Sequence, residues 1–239
     1  MRHGPEIGAM ILAAGRGERM RPLSDATPKP LLVAGGKSLL AWQIEALARA
    51  GFRRIVVNVA HLAEHIVAAL GDGSKLGVKI LWSREREPLE AAGGIVTALP
   101  LLPEGPALIV SGDLYTAFDY ASLRLRAEAM AEAASAPRVH LVMVRNPDYH
   151  PRGDFTLVDG RIDGGGAERK TFANIGLYDT ALFRGAPRET RLKLLPYFER
   201  WIAGRLVSGE YFEGRWVNVG TPEDLAALDR MLGTASRPG

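Results

Sequence analysis

Short apolar runs alternate with amphipathic segments over the first 145 residues, and this alternation constrains the fold more than any other feature. The apolar runs have the length of buried strands, and the segments between them have helical spacing. Strand, helix and strand in succession predict a mostly parallel sheet that helices cover on both faces. The predicted strands are 9–12, 55–59, 78–82, 107–110 and 139–144, and the predicted helices are 39–50, 63–70, 94–101 and 121–134.

Residues 12–30 follow the first apolar run and have the composition of a phosphate-binding loop. Gly15 and Gly17 lack a Cβ, so their N–H groups can approach phosphate oxygens closely. A forked guanidinium bridges two such oxygens, and an ammonium acts as a point charge. The loop's cations are Arg16, Arg19, Arg21 and Lys29, the last held between two prolines. The dinucleotide pattern G-x-G-x-x-G fails at Met20, and G-x-x-x-x-G-K-[ST] is absent, so the sequence predicts a different triphosphate loop.

A second candidate site follows the apolar run 107–110, where the chain continues Ser111-Gly112-Asp113. A carboxylate at the carboxyl end of a parallel strand lies where ligands bind. Mg²⁺ prefers one or two such carboxylates together with phosphate oxygens and water. We therefore predict Asp113 as a Mg²⁺ ligand. The alternative, a turn aspartate or helix cap, is disfavoured by the phosphate loop at the same sheet edge.

After about residue 145 the pattern changes to shorter strands. Residues 155–158 and 161–162 flank Asp159-Gly160, a pair typical of a type I′ hairpin. Further short strands are predicted at 175–178, 206–212 and 216–219, and Thr221 caps a last helix. With no linker between the halves, we predict one domain over residues 7–232. Its fold is Rossmann-like and doubly wound α/β, with a nucleotide-binding half at 7–145 and a small mixed α+β substrate-binding half at 146–232.

Composition excludes several other kinds of site. The 239 residues contain no cysteine, which excludes disulfides and thiolate chemistry and makes the cytoplasm the expected location. A net charge of only +3, without a basic run interleaved with aromatics, argues against a nucleic-acid partner. No apolar stretch approaches the roughly 20 residues of a membrane span, and no signal peptide is recognisable, so no membrane association is expected. The sequence does not distinguish a monomer from a homodimer.

The loop 12–30, with Leu31-Leu32-Val33-Ala34-Gly35-Gly36 after it, resembles the signature of the sugar-1-phosphate nucleotidylyltransferases. Gly112-Asp113 is similar to that family's metal aspartate, and residues 87–94 are similar to its nucleobase-binding loop. The resemblance runs through nearly the whole chain and implies the nucleotidyltransferase type A fold. Within the family, the chain most resembles the branch that pairs UTP with N-acetylmuramate 1-phosphate in peptidoglycan recycling. The segments that carry this are 87–103, 111–120, 145–147, 153–155 and 207–211.

This resemblance implies a role for each part of the site. Lys29 and Arg19 would hold the triphosphate, and Asp113 would hold Mg²⁺ between nucleotide and sugar phosphate. The sugar 1-phosphate would attack the α-phosphorus in line and expel pyrophosphate. It needs no general base, because a phosphate monoester with a second pKa of about 6 is mostly dianionic at neutral pH. The residues implied to bind the nucleotide are Leu12, Ala13, Ala14, Gly15, Arg16, Gly17, Glu90 and Gly93.

The chain departs from the family's pattern in two places. Asn218 stands where the ending Trp-x-Asp-x-Gly-Thr usually has a metal-binding aspartate. It either ligates Mg²⁺ as a neutral oxygen beside Asp113 or holds the sugar phosphate. The family's Glu-Lys-Pro segment is also missing, which leaves Lys170 a weak candidate. The sugar-binding candidates are Gly153, Asp154 and Asn174, the last because an amide both donates to and accepts from hydroxyls.

Two alternatives to uridylyl transfer stay open. Guanylyl transfer to mannose 1-phosphate uses the same chemistry, and the sequence does not fix the hydrogen bonds to the base edge. A non-catalytic sugar-nucleotide sensor belongs to a different class and is motivated by Asn218. His140 and His150 have no partner that the sequence reveals, and we assign them no role.

Overall fold

Strands and helices alternate along residues 6–132 and 137–235, which the computed structural model describes. The strands are β1 Gly8–Leu12, β2 Val33–Ala34, β3 Lys37–Ser38, β4 Arg54–Val59, β5 Lys79–Arg84, β6 Pro106–Ser111, β7 Leu114–Thr116, β8 Val139–Val144, β9 Phe155–Val158, β10 Arg161–Asp163, β11 Arg169–Asp179, β12 Val207–Tyr211 and β13 Trp216–Asn218. The helices are α1 Leu23–Ala26, α2 Leu39–Arg49, α3 Ala63–Leu70, α4 Glu90–Ala98, α5 Tyr120–Glu132, α6 Leu195–Ala203 and α7 Pro222–Ala235. Short 3-10 helices lie at Glu18–Met20, Lys29–Leu31, Ser74–Leu76, Leu99–Leu101 and Thr180–Phe183.

A nine-stranded sheet in the order β5-β4-β1-β6-β11-β8-β12-β10-β9 forms the centre of the fold. Neighbours from β5 to β6 are parallel, as are β8 and β12. β11 runs antiparallel between β6 and β8, and β10 runs antiparallel between β12 and β9. The α/β prediction is confirmed, and strands from both predicted halves share this sheet.

Apolar side chains fill both faces of the sheet because successive strand residues point to opposite sides. Ile11 packs in a core with Leu47 of α2 and Leu123 of α5. Met10, its neighbour in β1, packs in a second core with Ile95 of α4 and Trp201 of α6. Helices therefore cover the sheet on both sides, as predicted.

Most helix bounds agree with the sequence analysis. Ser38 caps α2 as expected, since its hydroxyl accepts a hydrogen bond from the Ala41 N–H at 3.2 Å. Helix α3 matches the prediction at both ends. Helix α5 begins one residue earlier than expected, and the predicted end at residue 134 lies outside the described residues.

Helix α4 is the exception, because it begins four residues before the predicted start at Gly94 and ends at Ala98. Two consecutive glycines made the segment before it look like a loop. The structure gives another reason for Gly93: a Cβ there would lie 2.2 Å from the Thr190 carbonyl oxygen. The helix needs a glycine at this position because the chain at 190–192 packs directly against it.

The second half contains the predicted hairpin and one strand that is longer than expected. Asp159 and Gly160 both have positive φ, 47° and 74°, as a type I′ turn requires. Strand β11 covers Arg169–Asp179 instead of 175–178, with a register shift between Phe172 and Gly176. Asn174 lies within this irregularity at φ 55°. The bulge interrupted the apolar pattern on which the strand prediction depended.

The carboxyl ends of β1, β6 and β8 lie at one edge of the sheet, and the loops that leave them carry the candidate site. A two-stranded ribbon, β7 with β13, lies directly after Asp113 and places Asn218 opposite Leu114. No helix in the described ranges combines the length and the apolar character that crossing a membrane requires.

Candidate active site

A cavity of about 900 Å³ opens at the carboxyl ends of β1, β4, β5 and β6. This volume lies within the roughly 300–1,000 Å³ of small-molecule sites. The predicted catalytic and nucleotide-binding residues all line this cavity, except Gly93. Those lining the cavity are Leu12, Ala13, Ala14, Gly15, Arg16, Gly17, Arg19, Lys29, Glu90 and Asp113.

The phosphate loop folds over Lys29 because Gly17 adopts a left-handed conformation. Its φ is 65°, and a Cβ at this position would lie 2.9 Å from the Lys29 Cβ. The Gly17 carbonyl accepts hydrogen bonds from the Met20 N–H and the Ser24 hydroxyl, both at 2.8 Å. Around Gly15, by contrast, no described atom lies within 4 Å of the Cβ position. The loop is thus fixed at one glycine and open to a ligand at the other.

An ion pair between Lys29 and Asp113 joins the loop to the end of β6. The Lys29 Nζ lies 2.5 Å from the Asp113 Oδ2, and the two side chains are 11% and 29% exposed. The Gly112 N–H donates to the Leu12 carbonyl at 2.8 Å, which ties the ends of β1 and β6 together. Partial burial strengthens the attraction between the two charges relative to an exposed pair. The Lys29 ammonium and the Asp113 carboxylate thus lie together at the wall of the cavity.

A buried hydrogen-bond chain, which the sequence analysis missed, connects the phosphate loop to the opposite wall. The Ala13 N–H donates to the Asn58 Oδ1 at 2.7 Å. The Asn58 Nδ2 donates to the Glu85 Oε1 at 2.7 Å, and the Leu89 N–H donates to the Glu85 Oε2 at 3.0 Å. Burial raises the pKa of Glu85, while the hydrogen bonds from Asn58 and Leu89 oppose that shift. The sequence did contain a signal for Asn58 and Glu85: each is a polar residue close to the end of an apolar strand or just after it.

Glu90 lines the cavity as predicted, in a left-handed conformation with φ 62°. Its Oε1 accepts a hydrogen bond from the Arg191 Nη2 at 3.0 Å, and Arg191 is a further lining residue that the sequence analysis missed. Gly93 lies outside the cavity, and its N–H donates to the Leu192 carbonyl at 3.1 Å. Gly93 thus packs against the segment 190–192, which carries Arg191.

The ribbon after Asp113 places Asn218 opposite Leu114, the residue that follows Asp113 in the chain. The Val219 N–H donates to the Asp113 carbonyl at 3.0 Å. Arg19 packs over the next residue, since a Cβ on Gly220 would lie 3.2 Å from the Arg19 Nη1. Asp113 and Arg19 line the cavity at this edge, whereas Asn218, in the neighbouring strand, is not among its lining residues.

Tyr149 is a further residue at this edge that no motif indicated. Burial raises the pKa of its phenol, a hydrogen bond with the Asn218 side chain opposes the shift, and the charges of Arg19 and Asp113 act on it as well. The loop that follows β8 therefore reaches the Asp113 end of the nucleotide cavity. A lone tyrosine in a loop carries no spacing signal that could have identified it.

Side chains able to bind a metal are few around Asp113. In the described part of the chain, no three His, Cys, Asp or Glu residues form a group that could hold a metal ion. Asp113 supplies one carboxylate, and Asn218 supplies an amide oxygen in the neighbouring strand. This set fits Mg²⁺, which keeps several waters and takes one or two carboxylates plus phosphate oxygens from the substrate.

The predicted sugar-binding residues lie outside the nucleotide cavity, near the start of β11. Gly153 has φ 60°, and a Cβ there would lie 2.8 Å from the Asn146 Oδ1. The Asp154 carboxylate accepts the Phe172 N–H at 2.8 Å, which fixes the loop to the strand. Asn174 is exposed in the bulge of β11. The structure brings Gly153 and Asp154 together, with Asn174 farther along the strand.

His140 and His150 both have side-chain partners that the sequence did not reveal. His140 is only 1% exposed, with its Nδ1 2.8 Å from the Ser208 Oγ and its Nε2 3.0 Å from the Glu210 Oε1. Burial lowers the pKa of His140, and the hydrogen bond to His140 lowers the pKa of Glu210. His150 Nε2 lies 3.0 Å from the Asp154 Oδ1. The partners of His140 are 68 and 70 residues away in the chain, so local sequence could not reveal them.

Comparison with known proteins agrees with this geometry. Residues 8–150 match the family described as nucleotidyl transferase. The N-acetylmuramate alpha-1-phosphate uridylyltransferase of Neisseria meningitidis serogroup B is 45% identical, over 89% of this chain and 93% of that protein. The protein of the same name from Caulobacter vibrioides is 32% identical, over 98% of this chain and its whole length.

A solved structure shares the fold at low sequence identity. The inositol-1-phosphate CTP transferase from T. maritima superposes with a TM-score of 0.75 at 18% identity, covering 97% of each chain. The fold, the phosphate-loop cavity and the extent of the sequence matches agree with one another. The chain therefore belongs to the nucleotidyl transferase family, among its sugar-1-phosphate nucleotidyltransferases.

Proposed function

We propose that this enzyme transfers a uridylyl group from UTP to N-acetylmuramate α-1-phosphate and releases pyrophosphate. The observation that carries the proposal is the Lys29–Asp113 ion pair inside a cavity walled by the phosphate loop. The choice of UTP and of this sugar rests on the names of the two relatives of similar length. Residues 7–145 bind the nucleotide and residues 146–232 bind the sugar phosphate. A cytoplasmic role in peptidoglycan recycling goes with this choice.

The chain's own residues act mainly by positioning and by neutralising charge. On substrate binding, the Lys29 ammonium leaves the Asp113 carboxylate for an oxygen of the triphosphate. Arg16 and Arg19 line the same cavity and offer forked donors to the remaining oxygens. A sugar 1-phosphate oxygen then bonds to the α-phosphorus, and the bond from that phosphorus to pyrophosphate breaks, with its electron pair leaving on pyrophosphate.

The Asp113 carboxylate, once released from Lys29, would hold Mg²⁺. Asn218 contributes an amide oxygen from the adjacent ribbon, so these two residues together provide a single negative charge. When bound, Mg²⁺ neutralises phosphate charge and orients the two phosphates toward each other. Asp113 and Lys29 together keep the loop and the end of β6 at a fixed separation before substrates arrive.

The nucleobase lies between the phosphate loop and the residues 85–91 on the opposite wall. Asn58 and Glu85 hold these two walls together through the Ala13 and Leu89 N–H groups. Arg191 holds Glu90 at the rim of the same wall. The base thus binds in a slot whose width is fixed by buried hydrogen bonds. A slot of fixed width favours one base size over another.

Pyrophosphate release tests the proposal directly. We would measure initial rates with UTP and with GTP, each paired with N-acetylmuramate, N-acetylglucosamine, glucose and mannose 1-phosphates, at saturating Mg²⁺. The expected result is the highest kcat/KM for UTP with N-acetylmuramate 1-phosphate, and loss of the rate in Lys29→Met. The matched control is Lys75→Met, which changes an exposed lysine outside the cavity.

Other outcomes would each replace the proposal with a stated alternative. The highest kcat/KM for GTP with mannose 1-phosphate would assign guanylyl transfer instead. Nucleotide binding in calorimetry without turnover for any pair would indicate a sensor. Either result leaves family membership intact, because that rests on the fold and the sequence matches.

A further inference from the structure

A second cavity, separate from the nucleotide cavity, lies between the loop 145–154 and the start of β11. Its volume is about 560 Å³. Its lining carries three cations and one carboxylate, so its charge favours an anion. These residues are Arg152, Arg169, Lys170 and Glu168.

The walls of the second cavity are held in place by uncharged hydrogen bonds. The Asn146 Nδ2 donates to the Arg169 carbonyl at 3.0 Å and to the Pro151 carbonyl at 3.1 Å. The Asn146 Oδ1 accepts the Thr171 hydroxyl at 3.0 Å. Gly153 allows the loop to approach β11 this closely, since a Cβ there would lie 2.9 Å from the Arg169 carbonyl carbon. The cations are therefore not needed to build the cavity.

The three cations differ in how far they are already engaged. The Arg169 Nη2 donates to the Gly164 carbonyl at 2.7 Å. The Lys170 Nζ lies 5.4 Å from the centre of the Tyr211 ring. Arg152 makes no hydrogen bond or ion pair with any residue in the described ranges. Arg152 is thus the guanidinium that a ligand can engage without breaking an existing contact.

The loop 145–154, which lines the second cavity, also approaches the Asp113 end of the nucleotide cavity. Strand β11 lies between β6, which ends beside Asp113, and β8, from which the loop 145–154 emerges. Tyr149 of that loop is within hydrogen-bonding reach of Asn218 and feels the charge of Asp113. The loop that carries Tyr149 and Arg152 therefore connects the second cavity with the Asp113 end of the nucleotide cavity.

We infer that the second cavity binds the carboxylate of an acidic substituent on the acceptor sugar, with Arg152 as its forked donor. The inference rests on the proposed function and specifies the acceptor as an anionic sugar 1-phosphate. N-acetylmuramate carries a lactyl ether carboxylate that N-acetylglucosamine lacks, and the two sugars are otherwise alike. A guanidinium binds a carboxylate through two parallel hydrogen bonds, which gives direction as well as charge.

The test is the ratio of kcat/KM for N-acetylmuramate 1-phosphate to that for N-acetylglucosamine 1-phosphate. We expect Arg152→Gln to lower this ratio about 10- to 100-fold, the range of one charge-assisted hydrogen bond. Lys170→Gln should lower it by less, because an ammonium lacks the forked geometry. Arg161→Gln is the matched control, since it removes an exposed arginine of β10 outside both cavities and should leave the ratio unchanged.

Binding of the free sugars separates failure of this inference from failure of the proposed function. Calorimetry with N-acetylmuramate and N-acetylglucosamine needs no turnover, so it decides the question even if no transfer is found. Tighter binding of the acidic sugar that is lost in Arg152→Gln supports the inference. An unchanged ratio in both Arg152→Gln and Lys170→Gln, or equal binding of the two sugars, would overturn it. Absence of transfer with selective binding would contradict only the proposed function.

Discussion

The nucleotide cavity and the second cavity differ in how their charged groups are compensated. In the nucleotide cavity two carboxylates are paired with cations: Asp113 with Lys29 and, at the rim, Glu90 with Arg191. In the second cavity the frame is built by neutral hydrogen bonds of Asn146, and Arg152 has no polar partner among the described residues. When substrate binds, Asp113 and Lys29 in the nucleotide cavity have to leave each other. Arg152 in the second cavity has no such contact to break before it binds a ligand. We therefore expect the charges of the nucleotide cavity to govern the rate of transfer, and those of the second cavity to govern selectivity between acceptor sugars.

The largest expected effect comes from removing charge at the Lys29–Asp113 pair. Asp113→Asn keeps an oxygen that can accept from Lys29 but removes the carboxylate placed to hold Mg²⁺. We expect kcat to fall about 10²- to 10³-fold, the loss typical of removing one electrostatic stabiliser. Pyrophosphate release at saturating substrate measures it, with the melting temperature as a check on folding.

The control is Asp159→Asn, in the exposed hairpin turn, which should leave both the rate and the folding unchanged. A rate in Asp113→Asn within threefold of the native rate would break the comparison, because the charges of the nucleotide cavity would then not govern catalysis.

The difference between the two cavities also explains which residues could be predicted from the sequence. The residues predicted to bind phosphate lie in one continuous loop, so local pattern was enough to propose Gly17 and Lys29, and both line the cavity. Asp113 was predictable because a strand end is visible in sequence. Asn58, Glu85 and their contacts depend on the register between parallel strands, which local pattern does not specify.

The contacts of residues in the second half were harder to predict from the sequence for a further physical reason. Most of its strands pair with partners far apart in the chain, and the bulge at Asn174 breaks the alternation that marks a strand. The sequence analysis gave His140 no partner because Ser208 and Glu210 lie on another strand. The fold class followed from the pattern of elements, but the side-chain pairs of this half did not.

The next effect tests whether the width of the base slot depends on the Asn58–Glu85 hydrogen bond. Asn58→Asp retains an acceptor for the Ala13 N–H but faces Glu85 with a second carboxylate. We expect kcat/KM at pH 7.5 to fall about 10-fold, since breaking a hydrogen bond to a charged group costs about 1.5–3 kcal/mol. As pH falls toward 5.5, a proton shared by the pair should recover part of the loss.

The matched control exchanges the two groups. In the double variant Asn58→Asp, Glu85→Gln, the new amide can donate to the new carboxylate and accept from the Leu89 N–H, so activity should return without the acid recovery. Equal pH profiles for the single variant and the native protein would show that the two side chains do not hold the walls together.

A smaller effect is expected at the boundary between the two regions, where Asn218 meets Tyr149. Asn218→Asp adds a second charge beside Asp113 and should lower the Mg²⁺ concentration for half-maximal rate by roughly 3- to 10-fold, because ligand charge tunes affinity for such ions. Tyr149→Phe removes the hydrogen bond to Asn218 and should change that concentration less. A Mg²⁺ titration of initial rates measures both. Collapse of the rate in Asn218→Asp, with substrate binding unchanged, would instead assign the amide to the sugar phosphate.

The smallest effect concerns stability where the two halves meet, because His140 of β8 is buried against Ser208 and Glu210 of β12. Burial lowers the folded pKa of His140 below its unfolded value of 6.5, and the positive charge of Arg126 acts in the same direction. The folded state therefore resists protonation, so this contribution to stability is present above about pH 6.5 and is lost as pH falls toward the folded pKa.

The lowered pKa of Glu210 acts only at more acidic pH, below its unfolded value of 4.5, so within this pair only His140 titrates between pH 7.5 and 5. His140→Gln stays neutral and keeps a donor and an acceptor, and it should lose less free energy of unfolding over this range than the native protein. The difference should be about 1.4 kcal/mol for each unit that separates the two pKa values. Urea unfolding at both pH values measures it. Equal losses in the two proteins would mean that His140 titrates normally, and the contact between the two halves would then not depend on a neutral histidine.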